Sequence, residues 1–373
     1  MSHTTFTLGA ALTPSAQRID LGPEHPSRAG IVDIVVTEGD GIITAAQVRP
    51  GAIHRCVEKL FEVRDYRQIL SLANRHDWQA SFVGELGAAL VIEAALGLET
   101  PPRATWLRTM LAELARLSSH LAFLSAVPDA LVPDVAISGR LRLLRRDLRG
   151  LVSAHSGNRV HPMVVRLGGL ALDVPPGWTE RAVAVAHAAE DVAAEVDSLM
   201  AAADLPVVAP LSRAAIADFG ITGPAARGTG VDLDLRRLQP YLVYGDLGPE
   251  LPVQVGGDAA SRLRQWAAEV GPTVRLVERL AATLDDLSGE VVVKLPKIVR
   301  VPEGESYVAT EGPLGHAGWF LVSRGDKVPW RLKLRTASFA NLSALEAVLP
   351  GTPIDHLPLA VASFGYVVGD VAK

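Results

Sequence analysis

Three short polar stretches carry the side chains best suited to chemistry. His25 lies in Gly22-Pro23-Glu24-His25-Pro26-Ser27-Arg28-Ala29-Gly30, too dense in Gly and Pro for regular structure. Arg75, Asp77 and Trp78 share the stretch Asn74-Arg75-His76-Asp77-Trp78, and His161 and Arg166 flank Pro162 to Val165. A histidine titrates near neutral pH and can take up or release a proton. The indole N–H of tryptophan donates a hydrogen bond but supplies no proton. Each also has a plainer reading. His25 would be hydrogen-bonded inside a Pro-rich turn, Trp78 would fill core, and Asp77 would cap a helix beginning near Phe82. Arg75, Arg116, His161 and Arg166 would make helix-surface contacts, as Glu113 and Arg116 do at i, i+3. Arg140, Arg142, Arg145, Arg146 and Arg149 form a basic run on one helix, facing solvent or else anionic headgroups or an acidic partner.

Much other chemistry is excluded. The 373 residues include one cysteine, Cys56, so neither a disulfide nor a multi-cysteine metal site can form within the chain. There is no Gly-x-Gly-x-x-Gly, no phosphate loop, no Gly-x-Ser-x-Gly elbow and no His-Glu-x-x-His. The net charge of −5 argues against a general nucleic-acid binder. No secretory signal is visible at the first residues. Phe82 to Leu98, the most apolar stretch, is interrupted by Glu85 and Glu93 and does not make a membrane span. Any membrane attachment is therefore expected through partner chains or headgroups.

With 49% apolar and 21% charged residues the chain can build a real core. Residues 1–50 read as strands, with Ile31–Val36 and Ile42–Ala45 joined by the turn Glu38-Gly39-Asp40-Gly41. Residues 51–290 read as helices. Leu107, Met110, Leu111, Leu114, Leu117, Leu121 and Leu124 recur at helical spacing behind Pro102. Thr179 is expected to cap a helix running to about Ala203, and Asp258 another that Gly271-Pro272 breaks or kinks. Residues 291–373 return to strand-like text in Glu290–Leu295, Gly318–Ser323 and Val328–Arg335. Strands, helices, strands predict an α+β fold with a helical centre.

Several segments resemble the D subunit, the quinone-site subunit, of NADH–quinone oxidoreductase, the relative of nickel–iron hydrogenase large subunits. Gly22-Pro23-Glu24-His25-Pro26 is similar to its Gly-Pro-Gln-His-Pro loop. His54-Arg55-Cys56-Val57-Glu58-Lys59-Leu60 is similar to His-Arg-Gly-x-Glu-Lys-Leu, with Cys56, a small packing residue, in place of Gly. Asn74 to Trp78 resembles Asp-Arg-Leu-Asp-Tyr. Pro102-Arg103-Ala104, Glu113 with Arg116, His120, Arg159-Val160-His161 and Arg166-Leu167-Gly168-Gly169 follow in order. So do Arg227-Gly228-Thr229-Gly230, Ser338-Phe339-Ala340-Asn341-Leu342 and Val368-Gly369-Asp370. The likeness is collinear from residue 20 onward.

The resemblance implies a hydrogenase-large-subunit-like fold whose helical bundle is flanked by small β regions. Its four thiolate positions fall on Asp77, Ala80, Val367 and Asp370, none a cysteine, so no nickel–iron site and no metal in this chain is expected. It implies quinone as substrate, in a cavity where residues 22–30, 74–80 and 364–370 meet. His25, Asp77, Trp78 and His161 would be catalytic, and His25, Trp78, Arg75, Arg166 and Val367 would bind. Arg75, His161 and Arg166 would face an iron–sulfur cluster of a small-subunit partner. Other peripheral-arm subunits and a membrane-arm quinone-site subunit would complete a proton-translocating complex on the cytoplasmic side of the membrane. Two departures stand out: the family's second loop histidine is Ala29, and its headgroup tyrosine is Trp78, so His25, Arg28, His76 or water would have to substitute for that pair. Together with the C-terminal Ala372-Lys373, these departures fit a divergent second copy. A catalytically silent structural or assembly subunit is the alternative.

Overall fold

The computed structural model describes residues 2–9, 14–21, 25–26, 31–50, 53–127 and 134–373. The N-terminal sheet has strands β1 (Ser2–Gly9), β2 (Gln17–Arg18), β3 (Ile31–Gly39) and β4 (Ile42–Pro50), in the order β2-β1-β3-β4. β1–β3 and β3–β4 are antiparallel and β1–β2 parallel. The hairpin forms at the expected turn, because Asp40 and Gly41 both take positive φ, 53° and 75°. Val32, Ile34 and Val36 alternate onto a buried face. They pack with Leu342 and Leu345 of the helix Ala337–Val348.

The helix Pro102–Leu124 starts on its proline, and all seven periodic apolar residues are buried. Its remaining faces are buried as well. Ser81–Leu96, Val135–Ser156, Trp178–Ala202 and Val270–Asp286 pack around it. Each leucine removed from water stabilises the bundle by roughly 1.5–3 kcal/mol.

Asp258 caps Ala259–Ala268 as expected, accepting from the Ser261 N–H. The break falls at Glu269, just before Gly271-Pro272, so Pro272 lies in the first turn of Val270–Asp286. There its missing N–H leaves no helical bond unmade. Thr179 is not a cap. The helix Trp178–Ala202 starts from Gly177 at φ 73°, and Thr179 bonds Asp285 from inside the first turn.

Short strands β5 (Val165–Arg166) and β6 (Gly169–Leu170) pair with each other. The C-terminal sheet is an antiparallel meander of β7 (Gly304–Gly312), β8 (Gly315–Ser323) and β9 (Arg331–Arg335). Glu290–Leu295 does not form a strand. It is extended, with one bridge from Val292 to Gly169. No neighbour among the described residues offers a longer edge. The fold is α+β with a helical centre.

Candidate functional site

Two loops distant in sequence meet at one place. Asp65 starts the helix Tyr66–Ala73 by accepting from the Arg67 and Gln68 N–H groups, and the chain turns at Asn74. In the loop beyond, Asp77 accepts from the Gln79 and Ala80 N–H groups and leads into Ser81–Leu96. It does not cap that helix: the N-cap is Ala80, without a side-chain bond, and Asp77 closes the turn just before it. The opposite loop, Phe364–Val371, is pinned from Ser338, whose hydroxyl accepts from the Val367 N–H. The Thr336 hydroxyl donates to the Asp370 carbonyl. The loops are joined by His76 Nδ1 and Asp370 Oδ1, 2.5 Å apart and both buried.

A side chain on Gly369 would run into the Trp78 ring, so this glycine is the surface against which the indole lies. Gly369→Ala is expected to displace Trp78 and cost about 1–3 kcal/mol, the usual penalty of overpacking. The denaturation midpoint and the indole fluorescence would report it together.

Where Asp77, Ala80 and Asp370 meet, the hollow is nearly closed. About 20 Å3 remains, lined by His76, Asp77, Ala80, Gly84, Trp319 and Asp370 among others, room for one water. The expected cavity at the meeting of the loops is thus reduced to a water-sized void, because the Trp319 ring occupies it from β8. Val367 is fully buried and lines neither opening. A larger crevice of about 60 Å3 opens on the Trp78 side, between Ser81–Leu96, Pro102–Leu124 and Val135–Ser156. Leu111, Leu114, Ala115 and Leu148 line its apolar wall, and Arg149, His155 and Arg159 its polar side. The Trp78 Nε1–H has no hydrogen-bond partner among the described residues.

His25 is buried, 2% exposed, with its ring edge on Phe123. Burial, and then the Arg145 charge, pushes its pKa down to about 3. Arg145 in turn donates to Gln79, next to Trp78. Ala29 and Arg28 lie outside the described residues. The basic run is not one solvated face, since Arg145 is buried and Arg149 lines the crevice.

His161 docks on the Asn74–Ala80 loop, its Nδ1 3.1 Å from the Asn74 carbonyl. Desolvation, and then Arg75, lowers its pKa. One buried carboxylate, Glu85, accepts from Asn74 Nδ2 and from the Met163 and Val165 N–H groups, fastening both segments to one helix. Burial raises its pKa. Arg75 and Arg166 are exposed. Gly168 and Gly169 take φ 80° and 147°, which lets their backbone reach Arg108 and Glu93.

Arg116 is in none of this. It is buried, donating to the Glu311 and Gly312 carbonyls, and its pair with Glu113 is internal. Cys56 is exposed rather than packed, at φ 54°, a conformation that favours the glycine expected there. Sequence reasoning named His76 only as one candidate substitute for the missing histidine–tyrosine pair, and it did not single out Glu85. The one local signal for His76 is Gly84, where any side chain would strike its ring.

Residues 143–300 and 292–373 match the family described as respiratory-chain NADH dehydrogenase, 49 Kd subunit. The NADH-quinone oxidoreductase D subunit 2 of Salinispora tropica is 43% identical over 361 residues, covering 95% of this chain and 92% of that relative. The NADH-quinone oxidoreductase D subunit 1 of Streptomyces coelicolor is 40% identical over 380 residues, covering 100% and 99%. Among solved structures, a chain of the membrane-bound sulfane sulfur reductase, an archaeal respiratory membrane complex, superposes with a TM-score of 0.85 at 27% identity. The match covers 92% of this chain and 94% of that one. With the family match spanning well over half its length and such relatives along nearly all of it, the chain belongs to the respiratory-chain NADH dehydrogenase 49 Kd subunit family, that of the D subunits of NADH-quinone oxidoreductase.

Proposed function

We propose that the chain works as the quinone-site subunit of a membrane-attached, proton-translocating NADH–quinone oxidoreductase. It would be active only within the complex, on the cytoplasmic side of the membrane. No helix among the described residues is long and apolar enough to cross a membrane, so attachment would run through partner chains. Trp78 carries the reading. Its ring lines an apolar crevice, and its buried N–H, without a partner among the described residues, would donate to a quinone oxygen. The crevice is far smaller than the roughly 300–1,000 Å3 of a ligand site. A partner surface would have to complete it. An iron–sulfur small subunit fits that place, with other peripheral-arm subunits and a membrane-arm quinone-site subunit beside it.

Arg75, His161 and Arg166 would face that partner's cluster, where positive charge favours its reduced form. His161 would answer electron arrival by proton uptake. His25 would act through Arg145 and Gln79 on the Trp78 loop, and Val367 would back that loop rather than touch quinone. The cluster belongs to the small subunit, and this chain would bind no metal.

Trp78→Ala in the purified complex is expected to lower quinone reduction at least tenfold. Unchanged reduction in Trp78→Ala and His25→Ala alike would defeat the reading. It would favour a structural or assembly subunit, for which the missing phenol at Trp78 and the nearly closed hollow both speak.

A further inference from the structure

We propose that His76, Asp77 and Asp370 form a proton-loading site behind the crevice, supplying to the bound acceptor the protons that Trp78 cannot. The proposal rests on the quinone-site reading. Its core is the water-sized void, on which all three polar side chains open. His76 is 6% exposed. One ring nitrogen meets Asp370, and the other, Nε2, has no hydrogen-bond partner among the described residues. A buried nitrogen of this kind is costly unless a water or an exchanging proton meets it. The void has room for one such water. Ala80 lines both the void and the crevice, so a single methyl-bearing residue separates the proton groups from the proposed headgroup position.

The two carboxylates differ in proton affinity. Burial raises Asp77, the Asp370 charge adds to it, and its pKa reaches about 6. Burial works the same way on Asp370, but the His76 hydrogen bond and charge prevail and hold it below its usual value. Neighbouring carboxylates driven apart in this way can divide into a proton donor and a fixed charge. A donor that titrates near the working pH transfers protons best. Lys373 and Arg335 are the other charges acting at Asp370. The helix Ser81–Leu96 contributes only Val83 and Gly84 to the void, and the turn between β7 and β8 contributes no charge.

The balance is simple. Reducing a quinone to a quinol takes two electrons, from the iron–sulfur partner, and two protons. One proton leaves the Asp77 carboxyl and one passes by way of His76, each breaking its O–H or N–H bond as a quinol O–H forms. Water refills both groups.

The experiment follows reduction of a short-chain quinone by the purified complex from pH 5 to 9, in the native protein, Asp77→Asn and His76→Gln. Asn keeps the acceptor for the Gln79 and Ala80 N–H groups, and Gln keeps a donor for Asp370. Each variant is expected to lose at least tenfold in kcat at unchanged KM. Each should also lose the alkaline fall of the native profile, while its cluster is still reduced by the donor. A variant with the native kcat and pH profile overturns the proposal alone. A native complex that reduces no quinone at any pH overturns the quinone-site reading, and the proposal with it.

Discussion

Arg227→Met is expected to remove about 3–5 kcal/mol of stability, the cost of breaking a buried ion pair from one side. Arg227 is wholly buried. Its Nε and Nη2 bond the two oxygens of Glu269 at 2.6 and 2.9 Å, and Nη1 meets Glu311 at 2.8 Å. Glu269 also meets His120 and Gln265, while Arg236 joins Asp234 to Glu113, and Tyr244 bonds Glu113. This network ties Pro102–Leu124 to residues 227–247, to Glu269 and to β7. Methionine fills much of the space but leaves Glu269 and Glu311 with too little positive charge. Urea midpoints should show the loss. Adding Glu269→Gln should recover part of it, because one stranded charge goes. A shift within 1 kcal/mol would mean that water reaches the network.

Asp77→Asn should do the opposite, stabilising the full chain at pH 8 and leaving it unchanged at pH 4. The folded pKa of Asp77, about 6, lies above its unfolded value of 3.8. Between those limits the native state holds more proton than the unfolded chain. Stability is therefore full below pH 4 and falls as pH rises through 6. Two units amount to about 3 kcal/mol at most, and Asn, always neutral, escapes the loss. Asp234 has the reverse sign. Burial works to raise it, but Arg236 and Arg227 bring it to about 2, so its contribution is present above pH 4 and fades as pH falls toward 2. Denaturation curves at pH 4, 6 and 8 separate the two. On the proposed proton-loading role of Asp77, the stabilised variant is expected to lose activity.

The Leu-rich helix was readable because its period is local, and the β3–β4 hairpin because Asp40-Gly41 is a local turn signal. What the sequence hid was non-local. Glu113 and Arg116 read as a surface pair, yet their partners come from Arg236 and the β7 backbone, more than a hundred residues away. Glu290–Leu295 has strand composition, but pairing requires an adjacent edge, and it meets only the short stretch Gly168–Leu170 among the described residues. The motifs drew attention to residues 74–80 and 364–370, which the fold brings together. They did not show that His76 turns inward to Asp370, nor that Trp319 fills the hollow from the third sheet.

The His76–Asp370 pair spans 294 positions. A chain leaving the ribosome can complete its bundle while this pair is still impossible, because Asp370 is made 294 residues after His76. The loops at 74–80 and 364–371 are therefore joined only after the bundle helices have been made, and contacts of such separation form slowly. A partner subunit arriving before that would meet the helices but not the joined loops.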